Sequence, residues 1–97
     1  MVAKEGAVPG ESHDARLRRM RMRSWRRGIK EMDLVFGPFA DAGLAALTAE
    51  ELDLYDRLLS ENDQDLLTWV LGTVAAPDWT APLLPRIADF AGARLAR

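Results

Sequence analysis

The chain has 97 residues, 48% of them hydrophobic and 29% charged, with a net charge of −2 and no cysteine. This is one domain with enough apolar material for a core, and it excludes disulfides, thiolate metal sites and cysteine nucleophiles. No apolar run approaches the roughly 20 residues that cross a bilayer, so no membrane insertion is expected.

Charge is distributed in blocks. From Ala15 to Lys30 there are eight bases (Arg16, Arg18, Arg19, Arg21, Arg23, Arg26, Arg27 and Lys30) and no acid. From Glu31 onward, four bases face twelve acids. Such asymmetry suits either a cationic face for an acidic partner or internal pairing of the two halves.

In chain order, residues 1–12 read as a disordered leader, with Gly6, Pro9 and Gly10 and no periodicity. The opening also carries Glu5, Glu11 and Asp14 without a hydrophobic region, unlike a secretory signal or an organellar presequence. With no cysteine, the chain fits a reducing cytosol. Residues 13–97 form the expected helical domain. Ser12 or Asp14 caps a first helix to about Arg27, with apolar stripes at Leu17 and Met20 and at Ala15, Met22 and Trp25.

Gly28 marks a junction, because glycine costs about 1 kcal/mol relative to alanine inside a helix but tolerates a positive φ or a close backbone approach. A second helix spans about Ile29 to Ala42. Ile29, Met32, Val35, Phe36 and Phe39 lie on its buried face, and a bend is expected near Gly37-Pro38. Thr48 and Glu51 form a capping box for a third helix to about Ser60, burying Leu52, Tyr55, Leu58 and Leu59. Asn62 or Asp63 caps a fourth, about Gln64 to Gly72, burying Leu66, Leu67, Trp69, Val70 and Leu71. A last helix from about Ala81 to Leu95 presents Leu83, Leu84, Ile87, Phe90, Ala91 and Leu95, with Pro82 and Pro85 in its first turn. No segment alternates with period two. The fold class is all-α, a small five-helix bundle in a single domain.

The inventory for catalysis is poor, and no enzyme activity, catalytic residue or metal site is expected. His13 is the only histidine, and serines occur only at 12, 24 and 60, none beside a plausible base. Glu61, Asn62, Asp63, Gln64 and Asp65 lack the glycine and distal glutamate of a calcium loop and read as a capped helix start. Trp25 and Trp69 fall on apolar stripes and are expected in the core, while Trp79 stays open. The arginine helix could neutralise phosphates, but a pI of about 5.3 is far below that of a typical nucleic-acid-binding domain. A small helical nucleic-acid-associated regulator is therefore the alternative reading, and no nucleic acid is expected.

Arg27-Gly28-Ile29-Lys30-Glu31 resembles the RGxxE signature of the FAD assembly factors of succinate dehydrogenase. Trp25-Arg26, Glu31-Met32-Asp33-Leu34, Gly37-Pro38-Phe39-Ala40-Asp41, Arg57-Leu58-Leu59, Asp63-Gln64-Asp65-Leu66-Leu67 and Trp69 extend the similarity from about Arg16 to Pro77. The resemblance implies a five-helix bundle that is a non-enzymatic, chaperone-like factor. Its partner would be the flavoprotein subunit of succinate dehydrogenase, or of fumarate reductase, whose histidine acquires covalent FAD. No tightly bound cofactor of its own is implied, since the FAD goes into the partner. The partner-binding residues would be Arg27, Gly28 and Glu31, flanked by Arg23, Arg26, Lys30 and Asp33. Physically, Gly28 lets a partner approach the backbone, and Arg27 offers a planar fork suited to a carboxylate. Glu31 shares that face if helical geometry persists through Gly28, and could orient Arg27 or meet a basic group. An internal salt bridge stabilising the junction is the alternative.

Overall fold

A computed structural model describes residues 8–95, with side chains as far as residue 92. Five helices, α1 (His13–Ser24), α2 (Lys30–Gly43), α3 (Ala49–Leu59), α4 (Asp63–Leu71) and α5 (Leu84–Leu95), make up the fold, with short 3-10 turns at Leu44–Ala46 and Asp78–Thr80. The described residues contain no strand. Of the expected leader, residues 1–7 lie outside the described residues. Residues 8–12 make a turn in which Glu11 N–H donates to the Val8 carbonyl at 2.9 Å. Arg19 grips Glu11 through two hydrogen bonds, of 2.9 and 3.1 Å, and this grip lowers the Glu11 carboxyl below its ordinary pKa.

Helix starts follow local chemistry. Ser12, rather than Asp14, caps α1 by accepting from Ala15 N–H at 3.1 Å. Thr48 and Glu51 exchange the two bonds of the capping box, and that backbone bond, aided by Arg86, lowers the Glu51 carboxyl. Asn62 accepts from the Gln64 and Asp65 N–H groups at the start of α4, so the acid-rich run is a capped helix start. At the other end of α4, Gly72 takes φ +77°. The last helix begins at Leu84, later than its apolar pattern suggests, because Asp78–Thr80 tightens into a 3-10 turn. Pro85 then occupies the first turn of α5, where its missing N–H costs nothing.

The second helix is central, packing against α1, α4 and α5. It runs unbroken across Gly37 and Pro38, both buried. Its Met32 and Phe36 share the core with Met20, Leu44, Leu52, Tyr55, Leu58, Leu66, Leu83 and Ile87, all buried. Tyr55 sits between Phe36 and Phe39, each with its ring centroid 5.9 Å away. Its hydroxyl lies 2.6 Å from Ser24 Oγ, which also reaches the Met20 carbonyl, and 3.4 Å from the Phe36 carbonyl. Burial pushes the Tyr55 hydroxyl above its ordinary pKa.

Several expected core positions differ. Trp25 is 41% exposed and Leu71 65% exposed. Trp69 is only half-buried, packed edge-on against Trp79 with ring centroids 6.4 Å apart. Trp79 in turn carries the Arg57 guanidinium 3.8 Å above its ring. Because Trp69 retains part of its solvent contact, Trp69→Ala is expected to cost about 2 kcal/mol, below the 3–5 of a fully buried aromatic. Urea denaturation reads this, and a loss under about 1 kcal/mol would show that the ring does not support the core.

Candidate partner-binding surface

The first helix stops at Ser24, three residues before the end expected from its stripes. The buried Ser24 hydroxyl is held by Met20 and Tyr55, and the chain then turns away. Gly28 takes φ +104°, a conformation that side-chain-bearing residues rarely adopt. Ile29 is extended and leads into α2 without a side-chain cap. In place of a cap, Asp33 in the first turn of α2 reaches back and accepts from Arg27 N–H at 2.7 Å.

Arg27 itself points inward, with its side chain 8% exposed. Its Nε donates to Asp63 Oδ1 at 2.8 Å, its Nη1 to the Leu59 carbonyl and its Nη2 to the Glu61 carbonyl at 3.1 Å. The guanidinium also lies 5.7 Å from the centre of the Phe36 ring. The fork expected to meet a partner carboxylate is thus filled within the chain, at the corner between α3 and α4. Glu31 does not orient it, since helical geometry is broken at Gly28; Asp63 does.

Above this anchor, Trp25, Arg26, Gly28, Lys30, Glu31 and Leu34 are exposed. Trp25, Arg26, Gly28, Lys30, Asp33 and Leu34 line an open depression of about 650 Å³. The side chains of Glu31, Arg26 and Lys30 have no hydrogen bond or ion pair with any described residue. Trp25 lies flat over Gly37: a β-carbon there would come within 2.4 Å of the indole ring. The indole Nε1 donates to Asp41 Oδ2 at 3.2 Å, so the ring braces the junction against α2. Arg23, also expected in the surface, donates to Asp56 Oδ1 at 2.6 Å and belongs to the flank.

Sequence reasoning missed Asp63, Gly37 and Leu34 as parts of this arrangement. The Gly-Pro pair was the signal for Gly37, since glycine in a helix interior asks for a close approach. Nothing local links Arg27 to Asp63.

A family model described as flavinator of succinate dehydrogenase matches residues 18–91. The chain belongs to that family. The match takes in α5, beyond the stretch from which the resemblance was read. The succinate dehydrogenase assembly factor 2, mitochondrial, of Candida glabrata is 40% identical over 85 residues, covering 82% of this chain and 56% of the yeast protein. Its namesake in Debaryomyces hansenii is 45% identical over 60 residues, covering 62% and 42%. The FAD assembly factor SdhE of Acetobacter pasteurianus is 36% identical over 76 residues, covering 77% and 70%. The chain therefore spans about half the length of these yeast relatives. Among the described residues no helix is long and apolar enough to cross a membrane. None of these comparisons supports the nucleic-acid alternative.

Proposed function

We propose that this protein binds the flavoprotein subunit of succinate dehydrogenase, or of fumarate reductase, and promotes covalent attachment of FAD to a histidine of that subunit. The observation that carries this reading is the exposed Arg26–Glu31 junction, held from beneath by Arg27, in a chain of the flavinator family. Gly28 at positive φ gives a bare stretch of backbone flanked by the unspent charges of Arg26, Lys30 and Glu31. A partner surface can approach such a stretch to backbone-contact distance. The factor holds the flavoprotein in a conformation with FAD and the acceptor histidine aligned, which lowers the entropic barrier to a reaction that the flavoprotein performs. It contributes no reactive group and holds no FAD tightly. A bacterial cytoplasm is the compartment proposed, in line with the Acetobacter relative; the yeast relatives are named as mitochondrial.

The test is covalent flavin fluorescence of the flavoprotein band on a denaturing gel, in cells lacking the endogenous factor. Gly28→Arg should abolish the signal, and Glu31→Ala should weaken binding by about 1–3 kcal/mol if its carboxylate is desolvated in the complex. Any residue other than glycine is strained at this φ, by about 1–3 kcal/mol. Gly28→Ala is therefore the matched control, sharing the strain without the bulk. Full flavinylation by a folded Gly28→Arg protein would refute the proposed contact.

A further inference from the structure

The basic block divides into two rows around α1. Arg16, Arg19, Arg23 and Arg27 face the bundle's acids. Arg16 pairs with Asp53 at 2.7 Å and Asp56 at 3.5 Å, Arg19 with Glu11 at 2.9 Å, Arg23 with Asp56 at 2.6 Å and Arg27 with Asp63 at 2.6 Å. Asp56 is 1% exposed, so this row is absorbed into the domain. Arg18 and Arg26 occupy the outer row, exposed and without an ion pair among the described residues. Between them sits Met22, 48% exposed.

These three residues line a groove of about 470 Å³ with Ala15, Arg19, Arg23 and Arg27, and no carboxylate contributes to its lining. Arg26 also borders the depression at Gly28, so groove and junction adjoin at this residue. Resting on the reading that a flavoprotein subunit is the partner, we propose that this groove receives an acidic segment of that subunit, patterned acid–apolar–acid. The spacing sets the pattern. Arg18 and Met22 are four residues apart, about 6 Å along the helix axis, and Arg26 borders the groove from the turn that follows α1. An acidic segment with carboxylates on either side of an apolar residue matches this order of charge, apolar stem and charge. Each guanidinium presents a planar fork to a carboxylate, and Met22 supplies an adaptable apolar contact between them. With no acid in the lining, the charges of Arg18 and Arg26 stay available at the groove, which accelerates encounter with an acidic segment.

The experiment measures association of the purified flavoprotein subunit with wild type, Arg18→Glu, Met22→Glu, the double variant and Gly28→Arg, at low and high salt. Arg18 and Met22 are exposed, so the variants at these two positions should keep the wild-type helical spectrum and melting temperature. Arg18→Glu should slow association about tenfold at low salt and lose most of the salt dependence, and Met22→Glu should mainly hasten dissociation. Arg18→Lys should retain the low-salt association rate. Wild-type kinetics in the double variant, with Gly28→Arg inactive, would overturn the groove proposal and leave the proposed function standing. Failure of wild type to bind any flavoprotein subunit would overturn both. If Arg18→Glu weakened retention on duplex DNA while leaving flavoprotein association intact, the groove would be a nucleic-acid surface and the proposal would fall.

Discussion

Replacing Arg27 by alanine is expected to cost about 3 kcal/mol of stability, more than any exposed arginine of the basic block. Breaking a buried pair costs about 3–5 kcal/mol because the surviving charge is left without compensation. The lower end applies, since the Asp63 side chain is 19% exposed and water can partly replace the lost donor. The Leu59 and Glu61 carbonyls lose their donors in the same step. Asp63→Asn keeps the shape and an acceptor oxygen while removing the charge, and should cost about 1 kcal/mol. Arg18→Ala should stay within about 0.5 kcal/mol. Urea unfolding of the three variants provides the comparison. A loss below about 1 kcal/mol for Arg27→Ala would mean that the fork is free in solution and available to a partner. If the expectation holds, any loss of flavoprotein binding in Arg27→Ala reports a displaced junction rather than a missing contact.

Gly37→Ala should likewise act on the junction from below. The added β-carbon would overlap the Trp25 indole at 2.4–2.6 Å from three ring atoms, distances that force one side to move. The second helix is packed into the core at Phe36 and Phe39 and cannot retreat, so the indole must leave. Overpacking of this kind costs about 1–3 kcal/mol, offset by up to about 1 kcal/mol of helix propensity gained over glycine. Stability should therefore drop by only about 1 kcal/mol, while the Trp25 fluorescence shifts to the red and flavoprotein binding weakens at least tenfold. Because Trp69 and Trp79 also emit, the measurement is made in a Trp69→Phe, Trp79→Phe background. An unchanged Trp25 emission would show that the ring is not seated on Gly37.

Most helix boundaries were legible because their causes are local. Thr48 with Glu51 and Asn62 with its two N–H partners announce helix starts within three residues, and the Met32–Phe39 spacing names the buried face of α2 directly. Gly28 was legible as a junction for the same reason. Trp25 was misread because the stripe of α1 was extended past Ser24, where a buried hydroxyl bonded to Tyr55, 31 residues away, ends the helix. Leu71 was misread because the last turn of α4 beside Gly72 has no neighbour to cover it. The role of Arg27 was open between a partner contact and an internal bridge. Choosing needed Asp63, 36 residues on, and no periodicity carries that information.

The long reach of Arg27 also orders events during synthesis. Its anchors at Leu59, Glu61 and Asp63 lie 32 to 36 residues downstream. A nascent chain can wind α1 and α2 early, since their bonds are local, but closing so wide a loop carries its entropic cost before any contact offsets it. Until the start of α4 has emerged and docked, the Arg27 side chain has no anchor, and only Asp33 and Trp25 hold the junction around Gly28. The proposed recognition surface therefore reaches its final shape late, and a half-made copy has no finished surface to offer the proposed partner.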